Sequence, residues 1–158
     1  MAKALVAYFS ASGVTKRLSE NLAGAIGADS FEIVPEALYT KEDLNWQDPN
    51  SRSSVEMKDR SSRPPIASGV DDMSKYDVVF IGFPVWWYRE PSIIDTFVEA
   101  YDFSGKTIVP FATSGSSGIG DSGKNMAKIA KGANVEAGRR FSANASVDEL
   151  KEWAGTWL

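Results

Sequence analysis

The chain of 158 residues contains no cysteine and no histidine. These absences remove thiol nucleophiles, Ser-His-Asp triads, imidazole general bases and zinc sites of the usual Cys/His kind. Any demanding chemistry is therefore expected to reside in a cofactor. Long hydrophobic runs are also lacking. The first, Ala4 to Phe9, is too short for a signal-peptide core, and nothing approaches the length of a membrane span. A cytoplasmic protein without membrane association is the expectation. Basic clusters are missing too: 17 Lys and Arg stand against 21 Asp and Glu, a formal charge of −4, and no window is rich enough in cations to hold nucleic acid. What remains favours small-molecule partners. An apolar content of 43% argues against disorder, and the length suits one domain, residues 1–158, with a sizeable core.

Among the features present, the stretch from Ala4 to Thr15, ALVAYFSASGVT, organises the rest. An apolar run breaks into small hydroxyl residues and a glycine, which reads as strand, loop and helix. Ser10, Ser12 and Thr15 surround Gly13 where a helix should begin, and the free N–H groups of a helix N-terminus favour an anion, above all a phosphate. Serine and threonine also cap helices with no ligand present. The position after a first strand, where α/β proteins gather ligands, favours the phosphate reading.

The helix, Val14 to Ile26, carries Leu18, Leu22, Ala25 and Ile26 at helical spacing, with Gly27 placed to end it. Ser30 to Val34 predicts a short strand stopped by Pro35. From Tyr39 to Lys75 charged residues and serines dominate, too long a stretch for a plain connection, so it reads as an insertion over the sheet edge or over a site, or as a surface loop. Thr40 and Asn50 could each cap a short helix there. Tyr76 to Phe83 predicts a strand buried on both faces. The loop Pro84-Val85-Trp86-Trp87-Tyr88-Arg89-Glu90-Pro91 then sets three adjacent aromatics between prolines, and Ser92 with Asp95 resembles a capping box for the next helix. Thr107 to Ala112 predicts another central strand despite Pro110, opening into Thr113-Ser114-Gly115-Ser116-Ser117-Gly118-Ile119-Gly120. A helix to about Lys131, a weak strand within Val135 to Phe141, and a last helix capped by Ser146 and Glu149 complete the chain.

Alternating strands and helices with continuous apolar strands imply a parallel sheet covered on both faces, and five strands make the doubly wound order 2-1-3-4-5 the natural candidate. Three unusual loops then converge: one of hydroxyls at a helix N-terminus, one of aromatic planes, one of backbone N–H groups and further hydroxyls. A ligand with a phosphate at one end and a flat aromatic system at the other fits them. Flavin mononucleotide, FMN, is such a ligand.

At these loops the sequence resembles the flavodoxin-like family. Ser10-Ala11-Ser12-Gly13-Val14-Thr15 is similar to its T/S-x-T/S-G-x-T phosphate loop, Gly82-Phe-Pro-Val-Trp-Trp-Tyr88 to its ring-binding loop, and Thr113 to Gly120 to its loop after strand four. The Leu44-Asn-Trp-Gln-Asp stretch and the Arg52 region resemble a bacterial branch with a long second connection. The resemblance implies that Ser10, Ser12 and Thr15, with the Ala11 to Thr15 backbone, hold the FMN phosphate. Pro84, Val85, Trp86, Trp87 and Tyr88 would flank the isoalloxazine ring, and Ser114, Gly115, Ser116 and Ser117 would contact its polar edge. Of adjacent Trp86 and Trp87 on an extended segment, one faces the ring. Val14 stands where many relatives have Asn, and Trp87 and Tyr88 stand where a glycine near flavin N5 is common. Arg52, Arg60 and Arg63 are either solvated surface or, for Arg52, part of the site. Two functions follow from the resemblance: an electron carrier serving a redox partner protein, or an FMN-dependent NAD(P)H oxidoreductase of quinones or similar small acceptors, as monomer or homodimer.

Other readings fit less well. GIGDSGKN, Gly118 to Asn125, nearly spells a P-loop, but Asn125 replaces the metal-binding hydroxyl and no later strand ends in Asp. A receiver-like signalling domain would need an aspartate where Pro84 ends strand three.

Overall fold

A computed structural model describes residues 3–114 and 118–158. The sheet is parallel throughout. Its strands are β1 (Ala4–Tyr8), β2 (Asp29–Glu32), β3 (Val78–Pro84), β4 (Thr107–Thr113), β5 (Asn134–Val135) and β6 (Arg139–Phe141), in the order β2-β1-β3-β4-β5 with β6 also on β4. The helices are α1 (Val14–Ile26), α2 (Arg52–Lys58), α3 (Ser92–Glu99), α4 (Ser122–Ile129) and α5 (Val147–Ala154). The expected doubly wound order is therefore present, with β1 and β3 adjacent where the winding reverses.

Strand parity divides the core. Leu5, Ala7, Val79, Ile81 and Ile108 face α3 and α4, while Val6, Val78, Phe80, Val109 and Phe111 face α1 and α5. Both faces are buried, which is why the strands read as unbroken apolar runs. On the second face Trp153 packs edge-on against Phe141, Phe111 and Trp157, closing the sheet beneath α5.

The fifth strand is split, where the sequence predicts one weak strand. Asn134 and Glu136 donate their N–H groups to the carbonyls of Lys106 and Ile108. The same parity turns Pro110 toward this strand with no N–H to offer. The chain detours through Gly138 at φ 79°, and a Cβ there would lie 2.3 Å from the Pro110 carbonyl oxygen. Pairing resumes at Phe111 with Arg139.

Local boundaries also shift. Ser51, not Asn50, caps α2 by accepting from the Ser54 N–H. Thr40 and Asp43 cap one another's N–H groups around a turn instead of opening a helix. The Ser92 and Asp95 capping box does not form: Pro91 precedes α3 with no side-chain cap, and Ser92 Oγ donates to the Glu56 carbonyl. Ser146 does cap α5 as expected, accepting from the Glu149 N–H. Among the described residues no helix is long and apolar enough to cross a membrane.

Gly82 in β3 lies under the buried ring of Phe111, and an added Cβ would come within 2.3 Å of it. Gly82→Ala is expected to destabilise the protein by about 1–3 kcal/mol, because a ring enclosed on all sides cannot move aside. A urea midpoint equal to wild type would show that this face can repack.

Candidate functional site

The parallel register brings the ends of β1, β3 and β4 to one rim, and Thr113 joins the loops that leave them. Its hydroxyl lies 2.8 Å from that of Thr15 at the start of α1, and its carbonyl accepts the Val85 N–H at 3.2 Å. Thr15 and Thr113 are both buried. Thr15 thus spends its hydroxyl on positioning the first loop, and Thr113 is a positioning residue that the sequence reading passed over.

The first loop leaves the α1 N-terminus available. Gly13 occupies the N-cap at φ 92°, no side chain caps the helix, and its first turn holds no carboxylate. The initial N–H groups of a helix have no partner within it. Ser10 Oγ accepts from the Gly13 N–H at 3.0 Å, folding the loop into a cup, and Ser12, Gly13 and Val14 are exposed at its rim. Hydroxyls, free N–H groups and the positive end of a helix dipole suit a phosphate dianion.

The second loop is a tight hairpin. Trp86 and Arg89 exchange both backbone hydrogen bonds, at 3.0 and 3.1 Å, leaving Trp87 and Tyr88 as the two central residues. Both have positive φ, 47° and 64°. That is the signature of a type I′ turn, a conformation usually left to Asn and Gly. For bulky residues it costs about 1–2 kcal/mol each. The turn divides the aromatics: Trp86 is half-buried, edge-on to Phe9 and Tyr39 with centroids 5.6 and 5.5 Å away, whereas Trp87 and Tyr88 are exposed at the tip. Trp86 is therefore a wall under the insertion.

Tyr39, behind that wall, donates to Glu56, and burial pushes its phenol far above the ordinary range. The Arg52 guanidinium covers the Tyr39 ring at 3.8 Å, with Nε on Glu56 and a second nitrogen on the Ala37 carbonyl. Arg52 supports the wall from behind. Arg63 pairs with Glu99 at the surface, but Arg60, read as surface, donates to the buried Asn125 at 3.0 Å.

The third loop begins at Ser114, whose carbonyl and hydroxyl accept from Arg140 of β6 at 2.8 and 3.3 Å. Gly115, Ser116 and Ser117 lie outside the described residues. Further on, Gly120 packs so closely that a Cβ would sit 1.9 Å from the Tyr88 carbonyl oxygen. The second and third loops are thereby in contact.

Beneath the turn lies a charge cluster that sequence reasoning missed. Arg89, Glu90 and Asp95 are all buried; the guanidinium stands 3.7 Å from Glu90 and 3.5 Å from Asp95, and donates to the Met57 carbonyl of α2. Asn125 of α4 donates to Glu90 Oε1. Glu90 Oε2 and Asp95 Oδ1 have no hydrogen-bond partner among the described residues. Two buried carboxyl groups beside one guanidinium do not both ionise readily. Burial, then the hydrogen bond and charge of Glu90, push the Asp95 carboxyl far above the usual range, and Arg89 offsets only part of this. The cluster ties the aromatic turn to α2, α3 and α4.

Fold and rim together define a doubly wound α/β protein with an uncapped helix N-terminus after its first strand and an aromatic turn after its third. The chain belongs to the flavodoxin family, whose model matches residues 3–157. No curated protein matches it. Among solved structures it is similar to proteins described as candidate flavoproteins from Bacteroides eggerthii and Bacteroides uniformis. The first is 45% identical at a TM-score of 0.92, covering 99% of this chain and 98% of that one. The second is 46% identical at 0.91, covering 98% of each. A flavoprotein from Lactobacillus acidophilus, solved in complex with FMN, shares the fold at a TM-score of 0.68 and 24% identity, over 98% of this chain and 99% of that one.

Asp95 gives the site a pH signature. In the unfolded chain its carboxyl ionises near its ordinary value, about 3.9, whereas in the fold it keeps its proton up to about 9. Between these values the native state holds the extra proton, so this stabilisation is complete below the lower value and is lost as pH rises toward the upper. One proton corresponds to about 1.4 kcal/mol per pH unit. Asp95→Asn keeps an uncharged side chain of the same size in the cluster and is expected to flatten the fall in stability between about pH 5 and 9, read from urea midpoints across that range. An unaltered slope would mean that the proton resides elsewhere.

Proposed function

We propose that the chain is an FMN-binding protein that works in electron transfer. The observation that carries this reading is the pairing at one rim of an uncapped, carboxylate-free helix N-terminus with an aromatic turn. Membership of the flavodoxin family supports FMN as the group that meets both. The Ser10 and Ser12 hydroxyls and the Ala11 to Thr15 backbone would hold the phosphate, with Thr15 acting through Thr113 to set the cup. Pro84 to Tyr88 and the loop from Ser114 would border the ring. FMN, when bound, supplies one- or two-electron chemistry, which suits a chain with no histidine or cysteine.

The protein's own contribution would be orientation and electrostatics. The buried cluster under the turn holds the aromatic face steady. With a formal charge of −4, the protein would disfavour added negative charge on a buried ring. A second reading, an FMN-dependent oxidoreductase of small acceptors, is favoured by one observation: the exposed aromatics at the turn border a cavity of about 460 Å³. Both readings fit a protein that remains in the cytoplasm.

Titration of the purified protein with FMN is expected to give stoichiometric binding and a shifted flavin spectrum. Ser10→Ala with Ser12→Ala should weaken binding about tenfold or more, at ~1 kcal/mol or more per lost hydrogen bond, without lowering thermal stability by more than a few degrees. Failure of the wild-type protein to take up FMN would refute the reading; an unaffected double variant would remove the serine hydroxyls from it.

A further inference from the structure

Two arginines stand side by side in β6, and the strand sends them to opposite faces. Arg139 lies on the α5 side, where it pairs with Glu149 at 2.7 Å and covers the Phe141 ring at 4.7 Å. Arg140 lies on the other side, where the third loop leaves β4. Its Nη2 donates to the Ser114 carbonyl at 2.8 Å and its Nε to the Ser114 hydroxyl at 3.3 Å. One planar fork thus fixes one residue through two bonds.

This placement is produced by the break in the fifth strand. Ile108 pairs with Val135 and Phe111 with Arg139, so three steps along β4 are matched by four along its neighbour. One extra residue reverses the faces of everything that follows it. Without it, Arg140 would oppose Thr113 and share the face of Phe111, among the buried aromatics under α5. With it, Phe141 fills that place, and Arg140 stands opposite Ala112 on the far face. From that level its guanidinium reaches Ser114, two residues further along, so the side chain leans about 6–7 Å toward the rim. Gly138, which has no room for a Cβ, is the residue that lets the chain make this detour.

The charge matters as well as the grip. Ser114 opens the loop that the family resemblance sets at the polar edge of the ring. A flavin ring that takes up two electrons and one proton gains a single negative charge, and that edge carries it. The protein's formal charge of −4 opposes this change. A half-buried guanidinium acts through a medium of lower dielectric than water, so its charge counts for more there than a solvated one does.

We propose that Arg140 is a positioning residue of the cofactor site: it fixes Ser114 at the start of the third loop and brings to that loop a positive charge that favours reduced over oxidised FMN. The proposal rests on the FMN reading and adds to it a residue outside all three loops.

The test uses the full chain loaded with FMN. The affinity for oxidised FMN is measured by titration, and the midpoint potential by reduction with dithionite against a reference dye. Arg140→Met, which keeps the length and loses the charge, should weaken binding of reduced FMN about tenfold relative to oxidised, a fall of about 30 mV for a two-electron couple. Arg140→Gln, which keeps a donor for Ser114, gives the same reading should the Met variant not fold. Arg140→Lys keeps the charge and loses the fork, so its midpoint should match wild type while both forms of FMN bind several-fold more weakly. Arg139→Met removes the same charge from the opposite face and should leave the midpoint in place. Potentials in the Met and Gln variants equal to wild type would overturn the proposal. So would an equal fall in the Lys variant, which would reduce Arg140 to a structural brace, or in Arg139→Met, which would make the effect one of net charge. Wild-type protein that takes up no FMN would sink the FMN reading and this proposal together, whereas normal uptake with unresponsive potentials sinks this proposal alone.

Discussion

The constraint on which the structure depends is the parallel pairing of β1, β3 and β4 with both faces buried. Parallel neighbours require a crossover between every pair, so helices must cover each face and each strand must end at the same rim. The rim therefore collects the backbone that is not committed to the sheet. Thr113 turns that collection into a site, because one residue holds the cup after β1 through its hydroxyl and the turn after β3 through its carbonyl. Pairing of Pro84 with Thr113 in register places these bonds at one level.

The aromatic turn inverts the usual relation between sequence and conformation. Two bulky residues adopt a backbone that they disfavour, at a cost of about 2–4 kcal/mol in all, and local sequence offers nothing in return. The return comes from below. Arg89 closes the hairpin through its backbone and enters the buried cluster through its side chain, so the turn cannot relax without leaving the buried Glu90 and Asp95 carboxyl groups without their guanidinium. Breaking such a pair is far more costly than the pair is stabilising. The proton kept by Asp95 belongs to the same balance: two carboxylates beside one guanidinium would leave an excess negative charge in the core.

Much of this was legible from the chain. The helix of Val14 to Ile26, its stop at Gly27, the buried third strand and the winding order follow from periodicity and punctuation, which act locally. What was not legible depends on partners distant in sequence. Asp95 has the spacing of a capping residue after Ser92, but the opportunity to meet Arg89 and Glu90 overrides that local role. Arg52 looked free to reach a ligand, and Tyr39 and Glu56 claim it. The split in the fifth strand was half visible, since Pro110 announces a missing donor but not which neighbour lacks it. Positive φ at Trp87 and Tyr88 had no local signal at all, because those residue types argue against it.

The insertion shows the same division between support and display. Its buried side mixes apolar packing with polar contacts: Met73, Ile66 and Val70 join the core, while Ser51 caps α2, Ser92 reaches the Glu56 carbonyl and Arg89 that of Met57. Its exposed side carries the apolar residues Trp46 and Val55. Trp86, by contrast, lies half-buried against Tyr39 and Phe9, and it is the aromatic that the insertion stabilises. One indole of the loop is therefore spent on packing. The other, with Tyr88, is held outward by a strained turn anchored in buried charge.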